Sequence, residues 1–216
     1  MTSPAIILLG VGGHASVLVD VIQLLGYNIL GYTNPIPIDD RHFIDDLTYL
    51  GPDEQITQHS INEIQLVNGL GSVGPIIKRK QLFQYFTQLG YSFANLCHPS
   101  AIISTSHVHC DQGLQALANS VINTHSIIGT NVILNTGAII EHHCTIGDHC
   151  HIAPGAVVCG HCRIGDAVHV GANATINQGI LIGNGAVIAS GSVVISDVKP
   201  GQLMTGVPAT VKKTYE

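Results

Sequence analysis

The sequence predicts two domains: a small α/β unit with a parallel sheet over residues 1–97, and a parallel β-helix with a short tail over residues 98–216. Predicted strands and helices alternate along the first part in the order β-α-β-α-β, which favours a parallel sheet. In the second part, aliphatic residues recur at every sixth position from Ile122 to Val194. This period fits neither a helix nor an ordinary strand, and it is typical of a β-helix in which three hexapeptides make a triangular coil of 18 residues.

The hexapeptide repeat continues for thirteen positions without a break in register. We expect each aliphatic side chain to point into the coil. The residue four places later is usually small, which lets the chain turn without crowding the axis. A β-sandwich of short strands would not hold one register over this length. The inward positions are Ile122, Ile128, Leu134, Ile140, Ile146, Ile152, Val158, Ile164, Val170, Ile176, Ile182, Ile188 and Val194.

The chain opens with an apolar strand, Ala5–Leu9, which leads through a glycine-rich turn, Gly10–Ala15, into a helix over Ser16–Leu25. Free N–H groups and the helix dipole at such a turn favour an anion. The spelling G-x-G-x-x-A also fits a dinucleotide fingerprint, but that reading requires an acidic residue after the second strand. The second strand, Tyr27–Tyr32, continues into Thr33–Pro35 without one. A nucleotide or nucleotide-sugar diphosphate is favoured over a dinucleotide or a plain tight turn.

The rest of the first domain alternates loops with short elements. Residues 34–51 are turn-rich and predict a loop, and Glu63–Val67 predicts a strand that ends beside a second glycine-containing turn at Gly69. A helix over Ile76–Leu89 carries basic residues 78–80 in its first turns, suited either to phosphate binding or to a solvated face. Residues 91–94 predict a last strand. The first coils, over residues 100–121, read as irregular.

Composition limits the possible partners. The 216 residues contain 8 Lys plus Arg and 14 Asp plus Glu, a formal charge of −6. The chain therefore lacks the basic surface that nucleic acid would require. No apolar run reaches the roughly 18 residues of a membrane span. The N-terminal stretch lacks the charged start of a signal peptide, so we expect a cytoplasmic protein with no membrane partner.

The six cysteines predict no metal site. Cys144, Cys150 and Cys162 occupy the small inward slot of the repeat, where a free thiol behaves as a small apolar group. Cys159 and Cys162 form a C-x-x-C, but the register turns one outward and the other inward. We therefore expect no metal here, and we interpret the nearby His149 and His161 as surface residues.

Four features together span nearly the whole chain: the glycine turn ending at His14, the joint His98-Pro99-Ser100-Ala101, the coils, and the tail motif Gly206-Val207-Pro208-Ala209. In this combination the sequence closely resembles the NeuD/PglD-type sugar acyltransferases. The resemblance implies a Rossmann-like first domain, left-handed coils, a homotrimer, acetyl-CoA as acyl donor and a nucleotide sugar as acceptor. It covers hexapeptide-repeat enzymes that N-acetylate nucleotide-linked amino-dideoxysugars for bacterial surface glycans or nonulosonic acids.

The resemblance also implies a catalytic segment. Its most specific local match runs from Leu134 to Gly147, where the family's catalytic base falls on His142. The next family residue is normally a carboxylate, which raises the basicity of the base, and here it is His143. A neutral imidazole does not act as a carboxylate does, so either His143 or Glu141 supports His142.

Further family positions predict ligand contacts. Acetyl-CoA contacts fall on His151 and Ala172, and N–H groups near Gly160 are candidates for holding an oxyanion. The second-strand acidic pair that contacts the nucleoside is replaced by Asn34-Pro35, which leaves the nucleotide open. The predicted substrate-binding residues are Gly12, Gly13, His14, Asn34 and Gly69.

The repeat predicts where the two histidines lie. His142 and His151 both point outward and are nine residues apart, half of one coil. They therefore lie on different walls of one chain, and a site that uses both must lie between two chains.

The expected activity is N-acetylation of a nucleotide-linked (UDP) amino-dideoxysugar by direct transfer from acetyl-CoA, with His142 as general base. The same fold acting on a hydroxyl, as in sialic or nonulosonic acid O-acetylation, is the alternative. More distant alternatives are a non-enzymatic scaffold and a zinc enzyme resembling γ-class carbonic anhydrases. The sequence leaves open the sugar and the destination glycan.

Overall fold

A computed structural model describes residues 4–37, 47–72 and 77–215. The described residues divide into two compact units. The first contains residues up to 71 together with residues 77–96, and the second contains residue 72 and residues 97–215. The predicted helix start at Ile76 and part of the predicted loop, residues 38–46, lie outside the described residues.

The first unit is built on a four-stranded parallel sheet with the strand order β3-β2-β1-β4. A 3₁₀ helix, Asp53–Gln58, follows β3. The elements are β1 (Ala5–Leu9), α1 (Gly13–Leu24), β2 (Ile29–Thr33), β3 (Tyr49–Gly51), β4 (Ile64–Asn68) and α2 (Ile77–Gln88).

The predicted α/β order of this unit is confirmed, with two corrections. Strand β3 was missed because its three residues lie within a turn-rich stretch that carries no alternating pattern. The predicted strand over residues 91–94 is wrong, since only an isolated bridge pairs Phe93 with Leu66. The parallel arrangement places the carboxyl ends of β1, β2 and β4 at one edge of the sheet, where ligands bind in open α/β folds.

In the coils of the second unit, two-residue strands are joined by four-residue connections, each centred on a two-residue turn. They are β5 (Leu96–Cys97), β6 (Ile102–Ile103), β7 (His109–Cys110), β8 (Gln115–Ala116), β9 (Val121–Ile122), β10 (Ile127–Ile128), β11 (Ile133–Leu134), β12 (Ile139–Ile140), β13 (Thr145–Ile146), β14 (His151–Ile152), β15 (Val157–Val158), β16 (Arg163–Ile164), β17 (His169–Val170), β18 (Thr175–Ile176), β19 (Leu181–Ile182), β20 (Val187–Ile188) and β21 (Val193–Val194).

These strands form the three walls of a parallel β-helix, as predicted. The first wall contains β6, β9, β12, β15, β18 and β21; the second contains β7, β10, β13, β16 and β19; the third runs from β5 through β8, β11, β14, β17 and β20. Each strand pairs with the strand 18 residues later, as Ile140 does with Val158. Every residue therefore lies directly beside its counterpart in the next coil.

The interior of the coils is the predicted one. None of the thirteen aliphatic positions is more than 3% exposed, and Cys144, Cys150 and Cys162 are buried beside them. The expectation of irregular first coils is wrong. The coils pair regularly from Ile102 onward, and the departure at this end is one extra residue, since Ile103 pairs with Ile122 at a spacing of 19. At the other end the spacing shortens to 16, where Ile182 pairs with Val198 and Val187 with Leu203.

The tail closes the end of the coil. An antiparallel hairpin of β22 (Gln202–Gly206) and β23 (Ala209–Thr214) continues the third wall beyond β20. Met204 and Ala209 of this hairpin join the apolar core. Within the part of the chain that the structure describes, neither helix has the length and apolar character needed to cross a membrane.

Neighbouring residues of β13 test the inward register. Ile146 is 1% exposed and Thr145 points outward, so Ile146→Ala should lower the free energy of unfolding by about 2–5 kcal/mol. Thr145→Ala should change it by no more than about 0.5 kcal/mol. Urea unfolding at equal protein concentration measures both. Equal losses in the two variants would contradict the register.

Candidate active site

The coil turn between β12 and β13 holds the predicted catalytic segment. His143 adopts a left-handed backbone with φ 59° in this turn, and His125 and His161 occupy the equivalent turns of the coils before and after it with φ 59° and 60°. Histidine, like Asn and Asp, tolerates this conformation better than most side chains. The 18-residue register therefore places these imidazoles directly above one another.

Four imidazoles form what we call the histidine column: His107, His125, His143 and His161. Successive ring centroids are 4.6, 4.7 and 4.7 Å apart, and the ring of His143 is nearly parallel to those of His125 and His161, at 6° and 19°. His161 is predicted from the sequence to be a surface residue. It is exposed, but it belongs to this column.

His142 meets the column edge-on. Its ring lies at 84° to that of His143 and at 83° to that of His161. The Nδ1 atoms of His142 and His143 are 3.1 Å apart, so one of them carries the shared proton and the other accepts it. Of the two residues expected to support His142, His143 is therefore the one in contact with its imidazole.

The surroundings of His143 disfavour its charged form. Desolvation lowers the pKa of His143 below its ordinary value, and the neighbouring His125, His161 and His142 lower it further. When the proton between the two Nδ1 atoms belongs to His142, a neutral His143 accepts it, and Nε2 of the neutral His142 ring carries no proton.

Glu141 points elsewhere. Its carboxylate accepts a hydrogen bond of 3.0 Å from Nδ2 of Asn123, its counterpart in the preceding coil. Its backbone carbonyl accepts a bond from the Ser126 hydroxyl. In this arrangement Glu141 stabilises the stacking of the coils.

Gly160 lies directly against His142 in the next coil. A Cβ atom at Gly160 would fall 2.6 Å from Cε1 and 2.8 Å from Nε2 of the imidazole, so only glycine leaves room for this ring position. Among the described residues, no acceptor takes the backbone N–H of Gly160, which agrees with the predicted role beside an oxyanion. Ala172 lies half-buried in the turn before β18.

His151 points away from the coil interior, as predicted, but it is covered and only 6% exposed. Asn135 donates from Nδ2 to its Nε2 at 3.0 Å, and its Nδ1 lies 2.8 Å from the Ser72 hydroxyl. His169 packs against it edge-on, and burial lowers the pKa of His169. The expectation that His149 is a surface residue is wrong, because it is 5% exposed and bonded to Asn131.

His142 and His151 lie on different walls of the coil, as their spacing predicts. His142 occupies the turn between the first and second walls, and His151 belongs to β14 of the third wall. The structure therefore does not bring these two predicted site residues together within one chain.

The predicted substrate-binding residues follow the ends of three strands in the first unit. Gly12, Gly13 and His14 follow β1, Asn34 follows β2, and Gly69 follows β4. Gly69 donates its N–H to the carbonyl of Leu9 at 2.8 Å, and a Cβ at Gly69 would lie 2.8 Å from that oxygen. The close approach of the two glycine turns brings these residues to one edge of the sheet.

A cavity of about 540 Å³ opens at this edge. Two carboxylates that sequence reasoning missed, Asp53 and Glu54, line it together with Lys78. Thr33 holds Asp53 by a hydrogen bond of 2.6 Å. The sequence feature that could have indicated these carboxylates is the pair of acidic residues directly after Gly51-Pro52. The lining residues are Gly10, Asn34, Pro35, Asp53, Glu54, Leu70, Lys78, Gln81, Leu82 and Tyr85.

Arg79 neither lies on a solvated helix face nor is free to bind phosphate, the two roles predicted for the basic residues at the start of α2. It is 2% exposed, and its Nη1 donates to the carbonyls of Asn68 and Leu70 at 2.8 Å each. Burial lowers the pKa of Arg79 to about 9, so it stays charged at neutral pH. Its role is to fix the glycine turn after β4.

Three imidazoles could together hold a metal ion: one ligand atom from each of His142, His143 and His161 lies within 4.8 Å of the others. The C-x-x-C thiols do not form such a group among the described residues. Cys162 is buried in the core, and Cys159 is half-buried outside it.

Comparisons with known proteins agree with this fold. The model for bacterial transferase hexapeptide repeats matches residues 125–160 and 161–196, and that for the PglD N-terminal domain matches residues 5–86. The acetyltransferase domain of PglB from Neisseria gonorrhoeae is similar over 97% of this chain and 100% of its own, at 26% identity and a TM-score of 0.89. A second structure of that domain contains acetyl coenzyme A.

PerB from Caulobacter crescentus, solved with CoA and GDP-perosamine, is 28% identical over 97% of each chain, with a TM-score of 0.86. The fold and the coil site define a hexapeptide-repeat acyltransferase. The chain belongs to the NeuD/PglD-type sugar acyltransferases.

Gly160→Ala tests the position of the His142 imidazole. The added methyl group forces the ring away from its place, and a misplacement of about 1 Å can cost about 10²-fold in rate. We expect that loss in acyl transfer and altered NMR signals of the His142 ring, with thermal unfolding little changed.

Gly185→Ala is the matched control, because its Cβ would meet open space while its φ of 67° makes alanine strained. This control should lose stability and keep activity. Full activity in Gly160→Ala would show that His142 need not occupy its observed position.

Proposed function

We propose that this protein is an N-acetyltransferase that moves the acetyl group of acetyl-CoA to the amino group of a nucleotide-linked amino-dideoxysugar. The observation that carries the proposal is the His142 imidazole, held edge-on against His143 and beside Gly160 of the next coil. Two relatives that match nearly the whole chain support it, since one was solved with acetyl coenzyme A and the other with CoA and GDP-perosamine.

His142 acts as the general base. Its Nδ1–H donates to Nδ1 of His143, which leaves Nε2 free to take a proton from the sugar amine. The deprotonated amine attacks the thioester carbonyl, and the tetrahedral intermediate carries an oxyanion that the N–H of Gly160 is placed to stabilise. Collapse expels the CoA thiolate, which takes the proton from the imidazolium. The amine is a competent nucleophile, so no covalent acyl-enzyme is required.

The nucleotide part of the acceptor binds in the cavity of the first unit. The turn at Gly12 supplies backbone N–H groups for the diphosphate at the start of α1. The turn at Gly69 is held against β1 by its own bond to Leu9, and Lys78 lines the cavity. Asp53 and Glu54 supply the carboxylates that Asn34-Pro35 lacks, and a carboxylate accepts a ring N–H of either uracil or guanine. UDP is the nucleotide expected from the sequence, and GDP is tested beside it because of the PerB complex.

The active site lies between protomers of a homotrimer. His142 and His151 lie on different walls of one chain, so acetyl-CoA that contacts both must run along the coils of two neighbouring chains. Contact between His151 and acetyl-CoA can arise in two ways. Either the bonds of His151 to Ser72 and Asn135 open and expose the ring, or these bonds persist and the buried ring keeps its present orientation. Acetyl-CoA and nucleotide sugars are cytoplasmic metabolites, so a cytoplasmic location belongs to the proposal.

His142→Asn tests the base. We expect turnover to fall by about 10²–10⁴-fold, the usual contribution of a general base. His125→Asn, one coil away in the histidine column, is the control and should keep its activity. The assay presents UDP-, GDP- and CMP-linked amino sugars with acetyl-CoA and follows release of the free thiol.

Mass spectrometry of the product distinguishes the two acceptor chemistries. An amide supports the proposal, and an ester would assign the protein to O-acetylation of sialic or nonulosonic acids instead. Near-full activity in His142→Asn would remove His142 from the role of base. An enzyme that is active as a monomer would remove the interchain part of the proposal.

A further inference from the structure

The imidazoles around the proposed base are arranged as a chelating group. His143 and His161 are stacked, with ring centroids 4.7 Å apart, and His142 presents its edge to both. One nitrogen from each ring lies within 4.8 Å of the other two. Acyl transfer by the proposed mechanism uses His142 and His143 but leaves His161 without a role.

The separations fit first-row transition-metal coordination. Two imidazole nitrogens on a tetrahedral Zn²⁺ with bonds of about 2.0–2.1 Å are about 3.3 Å apart. The Nδ1 atoms of His142 and His143 are already 3.1 Å apart. His161 would supply the third nitrogen from within 4.8 Å of the other two, and its exposed side chain leaves its ring room to turn.

The donor set selects the class of ion. Imidazole nitrogens suit Zn²⁺, Cu²⁺ and Ni²⁺, whereas Mg²⁺ and Ca²⁺ prefer carboxylate and carbonyl oxygens. The nearest carboxylate, that of Glu141, is engaged by Asn123. Three protein ligands leave the fourth tetrahedral position to water.

We propose that His142, His143 and His161 form a site for a borderline divalent transition-metal ion, of which Zn²⁺ is the representative, and that the bound ion inhibits acyl transfer. The metal binds the lone pairs of the two Nδ1 atoms, and the proton that they shared moves to Nε2 of His142. Nε2, the atom proposed as the base, then carries a proton and cannot accept one from the sugar amine. The inhibitory part rests on the proposed function, whereas the metal site does not.

His161→Asn removes one ligand and leaves the side chains of the proposed base and its partner unsubstituted. Asn is suited to the left-handed turn, since Asn119, Asn131 and Asn173 already occupy equivalent turns with φ 55–57°. His125→Asn is the matched control: it removes a neighbouring ring of the same column that lies outside the chelating group.

The experiment titrates full-length, chelator-treated protein with Co²⁺, followed by its visible absorption, and with Zn²⁺, followed by calorimetry. We expect wild type and His125→Asn to bind alike and His161→Asn to bind at least about tenfold more weakly, the lower end of what even an outer-shell partner is worth. Zn²⁺ should inhibit acetyl transfer by wild type and His125→Asn, reversibly on adding EDTA, and His161→Asn should require at least about tenfold more.

The outcomes separate the site from the activity. Equal metal affinity in all three proteins would overturn the site, because the ion would then be bound elsewhere, for example by the cysteines. Binding without inhibition, or activation by Zn²⁺, would overturn the inhibitory role. A protein that binds metal in the expected order but acetylates none of the amino sugars would refute the proposed function and leave the site in place.

Discussion

The stacking of coils at a fixed 18-residue spacing determines the chemistry of this protein. Each residue lies beside its counterpart in the next coil. The size of that counterpart therefore determines how much space a side chain has. Gly160 is two positions into its turn, where His142 stands one coil earlier, and the absence of a side chain there lets the imidazole lie flat against the backbone. The same spacing stacks His125, His143 and His161 into a column.

The histidine column changes the electrostatics of the site compared with a carboxylate at position 143. A carboxylate would favour the charged form of His142, whereas the neutral His143 only accepts its proton. Desolvation and then repulsion within the column lower the pKa of His143, which disfavours the charged form of that ring. A neutral His143 has an Nδ1 lone pair, which can accept the proton of His142 or bind a metal ion.

Much of this architecture could be predicted from the sequence, because a repeat of six reports directly which residues are inward. The buried cysteines and the separation of His142 from His151 followed from that register. What failed depends on contacts distant in sequence. Ser72 covers His151 across 79 positions. Asp53 and Glu54 reach the cavity at the sheet edge from a 3₁₀ helix that has no periodic pattern. Arg79 is buried although its neighbours in the helix are basic. The stacking of His161 on His143 was not predicted, because it depends on two residues 18 positions apart lying side by side.

The central claim, that His143 in its neutral form supports His142 as the base, is tested most directly by the pH dependence of kcat/KM for His143→Asp beside wild type. Aspartate tolerates the same left-handed backbone, and its carboxylate favours the protonated imidazole of His142. The account predicts that the acid limb of the kcat/KM profile moves to higher pH in His143→Asp. In His143→Asn the acid limb should stay close to its wild-type pH. Superimposable profiles for wild type and His143→Asp would contradict the account.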